Sequence, residues 1–212
     1  QPCTKKLPDP LPKRFRLRVG AGNIDCCREG WIHSDMFSSC KCCVYLNALS
    51  LSEIPSGRVD SLEAHNVLNH VSLAGVRKVL CEWHRVLRVG GRLFFIIDDF
   101  HEQVKEYLAG NYNDADGSGS MRLSWALFAA LKNPGDWHYS NFVVDMVNTV
   151  LMLTGFRLTG SKIHQSPPKW GRQRSAIYTA INTNKSVECA LAGPDLHDFA
   201  FDRYVFMLGD RK

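Results

Sequence analysis

The sequence has no apolar run approaching the roughly 20 residues that a membrane-spanning helix needs. Its basic, proline-bearing start is not followed by the apolar h-region of a secretory signal. Both absences point to a soluble protein, expected in the cytoplasm and away from the membrane. Paired zinc half-sites are missing as well. Of the eight cysteines, Cys40, Cys42 and Cys43 fall close to Cys26 and Cys27, but neighbouring cysteines do not make the C-x₂₋₄-C spacing that zinc uses. No metal is expected, and the cysteines read as free thiols of a reducing compartment. A calcium loop is excluded in the same way, because Gly110 to Ser120 lacks the D-x-[DN]-x-[DN]-G spacing and its closing glutamate.

Charge of one sign is scarce over most of the chain. The formal charge is +5, and Lys5, Lys6, Lys13, Arg14, Arg16 and Arg18 against Asp9 already supply it within the first 20 residues. A basic stripe on the folded body is therefore not expected, and nucleic acid is an unlikely partner. With 212 residues and 45% hydrophobic content, the chain is long enough for one domain with a sizeable core and short for two.

What is present begins with prolines 2, 8, 10 and 12, which make residues 1–14 an extended lead-in. Arg16 to Val19 then reads as a strand stopped by Gly20, and Gly20-Ala21-Gly22 as a turn. Trp31 to Ser34 is the next strand. Only 12 residues separate Gly22 from Asp35, too few for a crossover helix together with that strand. Val44 to Leu46 and Arg58 to Ala64 read as strands three and four. Ser72 is placed to cap a helix that carries Leu73, Val76, Val79, Leu80, Trp83 and Val86 on one face and ends near Arg88, with Gly90-Gly91 as the turn. Leu93 to Ile97 is continuously apolar, as a central parallel strand covered on both faces requires. Its end is marked by Asp98-Asp99, where ligands of open α/β sheets collect. Helices are expected over Met121 to Leu131 and Phe142 to Leu153, the latter capped by Ser140 or Asn141. Strands over Phe156 to Ile163 and Ser175 to Asn182 have no helix between them and should run antiparallel. The aromatic residues of 184–212 imply a C-terminal extension docked on the domain, which itself spans 15–183.

A strand, a Gly-x-Gly turn and an acid closing the second strand suit either a dinucleotide or S-adenosylmethionine. A dinucleotide site places a third glycine and a helix N-terminus at the pyrophosphate. Here that position is Asp25 and the helix is missing, so a phosphate-free sulfonium cofactor fits better. Leu17 to Asn23, Gly30 to Asp35, Val59 to His70 and Glu82 to Leu93 resemble successive motifs of the class I S-adenosylmethionine-dependent methyltransferases, in the branch with a short connection after the glycine turn. The resemblance covers roughly residues 15 to 182 and continues through Gly135 to Ser140 and Thr154 to Phe156.

It implies an α/β fold: a doubly wound, Rossmann-like, mostly parallel seven-stranded sheet with the last strand antiparallel. It implies S-adenosylmethionine as cofactor, with Gly20, Ala21, Gly22 and Asn23 under its methionine part, Asp35 on the ribose hydroxyls, Asn47 at the adenine edge and His65 beside it. Three positions depart from the family's usual residues: Ala21 for Cys, Asn47 for Asp and Asn69 for the Glu of a Glu-His pair. In-line methyl transfer needs positioning and one proton acceptor. The candidate catalytic residues are His138, His70 and Asp98, and Asp99, Trp137 and Tyr139 are candidate substrate contacts. The expected activity is methylation of O or N on a small molecule, with a sugar or glycan-linked metabolite as the acceptor that the branch suggests. The alternatives are a module that binds the cofactor without turnover, and a nucleic-acid methyltransferase using the basic lead-in.

Overall fold

The computed structural model describes residues 6–22, 28–36, 43–111, 123–124, 127–129, 137–165 and 174–184. In chain order the elements are β1 (Phe15–Val19), β2 (Trp31–Ser34), β3 (Val59–His65), a 3-10 turn (Leu68–His70), α1 (Leu73–Val86), β4 (Leu87–Asp98), α2 (Phe100–Leu108), α3 (Val144–Leu153), β5 (Phe156–Gln165) and β6 (Arg174–Asn182). The strands form one sheet in the order β2-β1-β3-β4-β6-β5. Pairs β1–β2, β1–β3 and β3–β4 are parallel, and β6 runs antiparallel to both β4 and β5. This is the mostly parallel sheet with an antiparallel last strand that the sequence leads one to expect.

Six strands, and not seven, are present among the described residues. The expected third strand at Val44 to Leu46 reduces to a single bridge between Val44 and Ser34. The Asn47 side chain ends it: its Oδ1 accepts from Leu49 N–H at 2.9 Å and bends the chain away. Gly90-Gly91 also behaves differently, lying inside β4 as a bulge, since Val59 pairs Leu87 while Ser61 already pairs Arg92.

Side chains of one sheet face make the core. Leu17, Val19, Leu62, Leu93, Phe95 and Tyr178 are almost fully buried, and Phe95 stacks on Tyr178 with centroids 5.0 Å apart. Helix α1 packs here through Val76, Val79, Leu80 and Trp83, and α3 through Val147, Val150 and Leu151. The Ser72 hydroxyl accepts from Gly75 N–H at 3.3 Å, the cap that the sequence announces. Helix α3 starts at Val144 without a side-chain cap. Ser140, expected in that role, instead donates to Leu68 O and Val71 O. Sequence reasoning missed helix α2, although Asp99 is a good N-cap residue, and its Oδ1 accepts from Glu102 N–H at 2.9 Å.

No helix among the described residues is long and apolar enough to cross a membrane. Cys43 is buried, and the free-thiol expectation is corrected at Cys81, which is disulfide-bonded to a partner outside the described residues. Reducing compartments do not usually keep such a bond. The helix expected over Met121 to Leu131 and the extension from 185 onward also fall largely or wholly outside them.

Asn182 ties the last strand to α1: its Nδ2 donates to His84 O and Leu87 O, both at 2.8 Å. Asn182→Ala removes both bonds and leaves two last-turn carbonyls buried without them, which should cost about 1–3 kcal/mol in urea unfolding.

Candidate cofactor site

In an open α/β sheet the ligand crevice opens at the carboxyl ends of the strands where the strand order reverses. Here the chain leaves β1 toward β2 on one side and returns to β3 on the other, so the crevice lies above Val19-Gly20. Both glycines of the turn have left-handed backbones, Gly20 at φ +61° and Gly22 at φ +62°, which explains glycine at each. Their surroundings differ. A Cβ on Gly20 would lie 2.4 Å from Val67 Cγ2, whereas one on Gly22 would meet nothing within 4 Å. The free space of the turn is therefore over Gly22, and the close approach at Gly20 is to Val67.

Asp35 closes β2 and is 9% exposed. Its Oδ2 accepts from Gly22 N–H at 2.8 Å, and Ala21 N–H donates to Ser34 O at 3.0 Å. The acid thus holds the glycine turn in place as well as facing the crevice. Asn47 lies beyond the Val44 bridge, half-buried, with its Oδ1 engaged by Leu49. Asn23 lies outside the described residues.

His65 ends β3. Its Nδ1 accepts from Arg18 Nη2 at 3.0 Å, and its Nε2 is 2.8 Å from Glu63 Oε1. Arg18 and Glu63 face each other in the β1–β3 register, and Arg28 reaches Glu63 at 3.4 Å. The contact with His65, with added help from Arg18 and Arg28, holds the Glu63 carboxyl below its ordinary pKa. Next to this group His33, 2% exposed, accepts from Arg28 N–H at Nε2. Burial, reinforced by the Arg18 charge, lowers its pKa.

The candidate catalytic histidines meet. His70 and His138 have ring centroids 5.0 Å apart, edge to face. His70 Nδ1 lies 2.9 Å from Trp137 O, which places the proton on Nδ1 and the lone pair on Nε2. The segment carrying His138 is anchored on the 3-10 turn, since Tyr139 N–H and Ser140 N–H both donate to Asn69 O. Trp137 and Tyr139 are largely exposed. Asp98 is buried and accepts from Ser175 Oγ at 2.9 Å, while Asp99 caps α2. These two acids sit at the end of β4 doing structural work.

Two further polar groups stand out that residue types alone do not flag. Asn66, at φ 51°, has a buried Oδ1 without a hydrogen-bond partner, and both side-chain polar atoms of fully buried Asn69 are unpartnered too. Both follow β3 directly, beside the Val67 methyl that covers Gly20. Unpaired buried polar atoms are costly and mark places where a bound molecule completes the bonding. A clear space over Gly22, an acid at the ribose position and uncharged amide groups nearby fit a phosphate-free nucleoside ligand.

A sequence model described as a methyltransferase domain matches residues 32–95. The architecture matches solved structures throughout. An S-adenosylmethionine-dependent methyltransferase from Methanosarcina mazei superposes with TM-score 0.56 at 14% identity, over 84% of this chain and 96% of that one. The fold is that of the class I S-adenosylmethionine-dependent methyltransferases. Within this methyltransferase fold, a putative enzyme from Listeria monocytogenes gives TM-score 0.53 at 12% identity, over 81% and 91% of the two chains. A Burkholderia thailandensis 1,6-didemethyltoxoflavin-N1-methyltransferase with bound 1,6-didemethyltoxoflavin and S-adenosylhomocysteine gives 0.50 at 13%, over 81% and 72%. No curated protein matches the sequence. The Burkholderia enzyme holds S-adenosylhomocysteine, and in open α/β sheets the ligand crevice lies at the strand-order reversal, here above Gly20.

Two measurements check the site. Gly20→Ala forces a methyl into Val67 at a left-handed backbone position, and should cost about 1–3 kcal/mol in chemical denaturation. The second concerns pH. His33 and His84 both titrate below the ordinary 6.5 in the fold, burial being the main cause. The unfolded chain therefore takes up these protons first, and stability falls as pH drops from about 7 through the folded values. Glu63 has the carboxylate pattern: its contribution is complete above its ordinary 4.5 and disappears as pH falls through its lower folded value. Melting curves for His33→Gln should flatten the near-neutral slope, and those for Glu63→Gln should flatten the acid slope.

Proposed function

We propose that this chain transfers the methyl group of S-adenosylmethionine to O or N of a small molecule, the acceptor class being a sugar or glycan-linked metabolite. The acceptor class follows from the branch that the motifs resemble. The methyl-transfer reading is carried by one observation above all: Asp35 grips the glycine turn through Gly22 N–H at the strand-order reversal, with open space above Gly22.

Asp35 would take the ribose hydroxyls, and Gly22 the methionine part of the cofactor. Asn47 would stand at the adenine edge, and His65, held by Arg18 and Glu63, beside it. The cofactor, when bound, supplies an electrophilic sulfonium methyl. The chain's own task is then to align the acceptor and take its proton. His70 is the better base of the two histidines, because donation from Nδ1 to Trp137 O leaves Nε2 as a fixed lone pair. His138, packed on its edge, orients the ring. Asp98 and Asp99 contribute by holding the end of β4 and the start of α2.

A second reading, a module that binds the cofactor without turnover, is favoured by one feature. Asn69 stands where the family often has an acid, and its amide cannot act as a base at neutral pH. Calorimetric titration with S-adenosylmethionine and S-adenosylhomocysteine tests both readings: binding is expected for the wild type and a loss of at least tenfold for Asp35→Ala. Absence of binding to the wild type overturns both. Labelled methyl transfer across an acceptor panel then separates them, with His70→Gln expected to lower turnover at least a hundredfold while cofactor affinity stays unchanged.

A further inference from the structure

Counted along the sequence, the folded body has no excess of charge, but the sheet sorts its charges by face. The strand register aligns Trp31, Arg16, Ser61, Arg92, Ile181 and Arg157 in one row across the sheet. In the strand order β2-β1-β3-β4-β6-β5, arginine therefore recurs on every second strand, about 10 Å apart at the usual strand spacing. Arg16, Arg92 and Arg157 are all exposed. The next rows of the same face bring Arg18, Glu63 and Phe94, then Ile96, Ile177 and exposed Lys162. Phe94, Ile96, Ile177 and Ile181 are half-buried and make an apolar centre among the cations.

The balancing acids lie elsewhere. Glu82, Glu102, Glu106 and Asp145 are on α1, α2 and α3, and α1 and α3 pack on the opposite face. On the basic face, Glu63 is already engaged by Arg18, Arg28 and His65. Arg92, Arg157 and Lys162 make no ion pair among the described residues. The lead-in extends the stripe: exposed Lys13 and Arg14 precede β1, and Arg14 Nη1 donates to Gly57 O at 2.6 Å, beside the start of β3.

Mostly parallel sheets bury both faces, so an apolar centre left half-open inside a ring of cations is a contact surface. Its flat groups say what it contacts. The guanidinium carbons of Arg28 and Arg16 lie 4.8 and 5.9 Å from the Trp31 ring centroid, and Phe94 stands between Glu63 and Thr179 in the middle of the sheet. Cations that track phosphates, combined with rings and arginine planes on which bases stack, are what single-stranded nucleic acid requires. A second copy of this chain would set like charges against each other, and an acidic peptide has no need of the rings.

We propose that this face binds single-stranded nucleic acid, with Arg16, Arg92, Arg157 and Lys162 on the phosphates and Phe94 under a base. The arginine row lies near the starts of the parallel strands, away from the crevice at their carboxyl ends. Its ligand is therefore independent of the acceptor proposed above.

Fluorescence anisotropy of the full chain with labelled oligothymidylate of about 16 nucleotides tests the site, and oligouridylate of the same length tells DNA from RNA. Arg92→Glu with Arg157→Glu should weaken binding at least tenfold without moving the urea midpoint. It should also flatten the slope of log affinity against log salt by about 1.4, for two lost phosphate contacts at about 0.7 each. Phe94→Leu, which keeps an apolar side chain and removes the ring, should weaken binding about fivefold or more, while Phe94→Tyr retains it. No binding of either oligonucleotide by the wild type overturns the proposal, as does unchanged affinity in the arginine pair or in Phe94→Leu. Equal affinity for a duplex overturns it too. So does equal affinity for poly-L-glutamate, which would mark an acidic protein segment as the occupant.

Discussion

The bond from Gly22 N–H to the Asp35 carboxylate does the work that a helix does in most nucleotide-binding sheets. A long crossover after a glycine turn fixes that turn by packing a helix onto the strands and aims the helix terminus at the ligand. Here the turn is fixed from the side, by the acid that ends β2 and by the Ala21 to Ser34 backbone bond. The exit of β2 and the geometry of the crevice both depend on these two bonds.

The row of β1, β2 and β3 side chains beside the site carries its own charge balance. Arg18 stands between His33 and Glu63, and Arg28 folds over Trp31 with its guanidinium 4.8 Å from the ring centroid. Buried and half-buried charges are tolerable only when paired, and here Glu63 serves three partners. His65 is held in one orientation by the same network.

Much of this was legible in the sequence because it rests on local rules. The glycines at left-handed positions, the Ser72 cap, the apolar stripe of α1 and the antiparallel final pair follow from backbone preference and periodicity. His70 and His138 were each named as candidates, but their meeting was not legible, for nothing in their spacing brings positions 70 and 138 together. The failures are non-local or masked by stronger signals. Leu93 to Ile97 reads as buried on both faces, yet Phe94 and Ile96 are half-exposed, since residue type does not report which faces the connections cover. Val44 to Leu46 has strand composition, but the Asn47 turn removes it from the sheet. The N-cap at Asp99 was hidden by the expectation that strand-end acids touch ligands. The open amides of Asn66 and Asn69 could not be read at all, because satisfaction of a polar atom is a property of its neighbours.

The Val67 methyl over Gly20 works as a spacer between the exits of β1 and β3. It keys the two banks of the crevice at a fixed separation, so they cannot slide apart or close without first unseating a side chain from a tightly filled contact. A ligand entering above Gly22 meets a slot whose width is already set. Little ordering of the walls is then charged against its affinity.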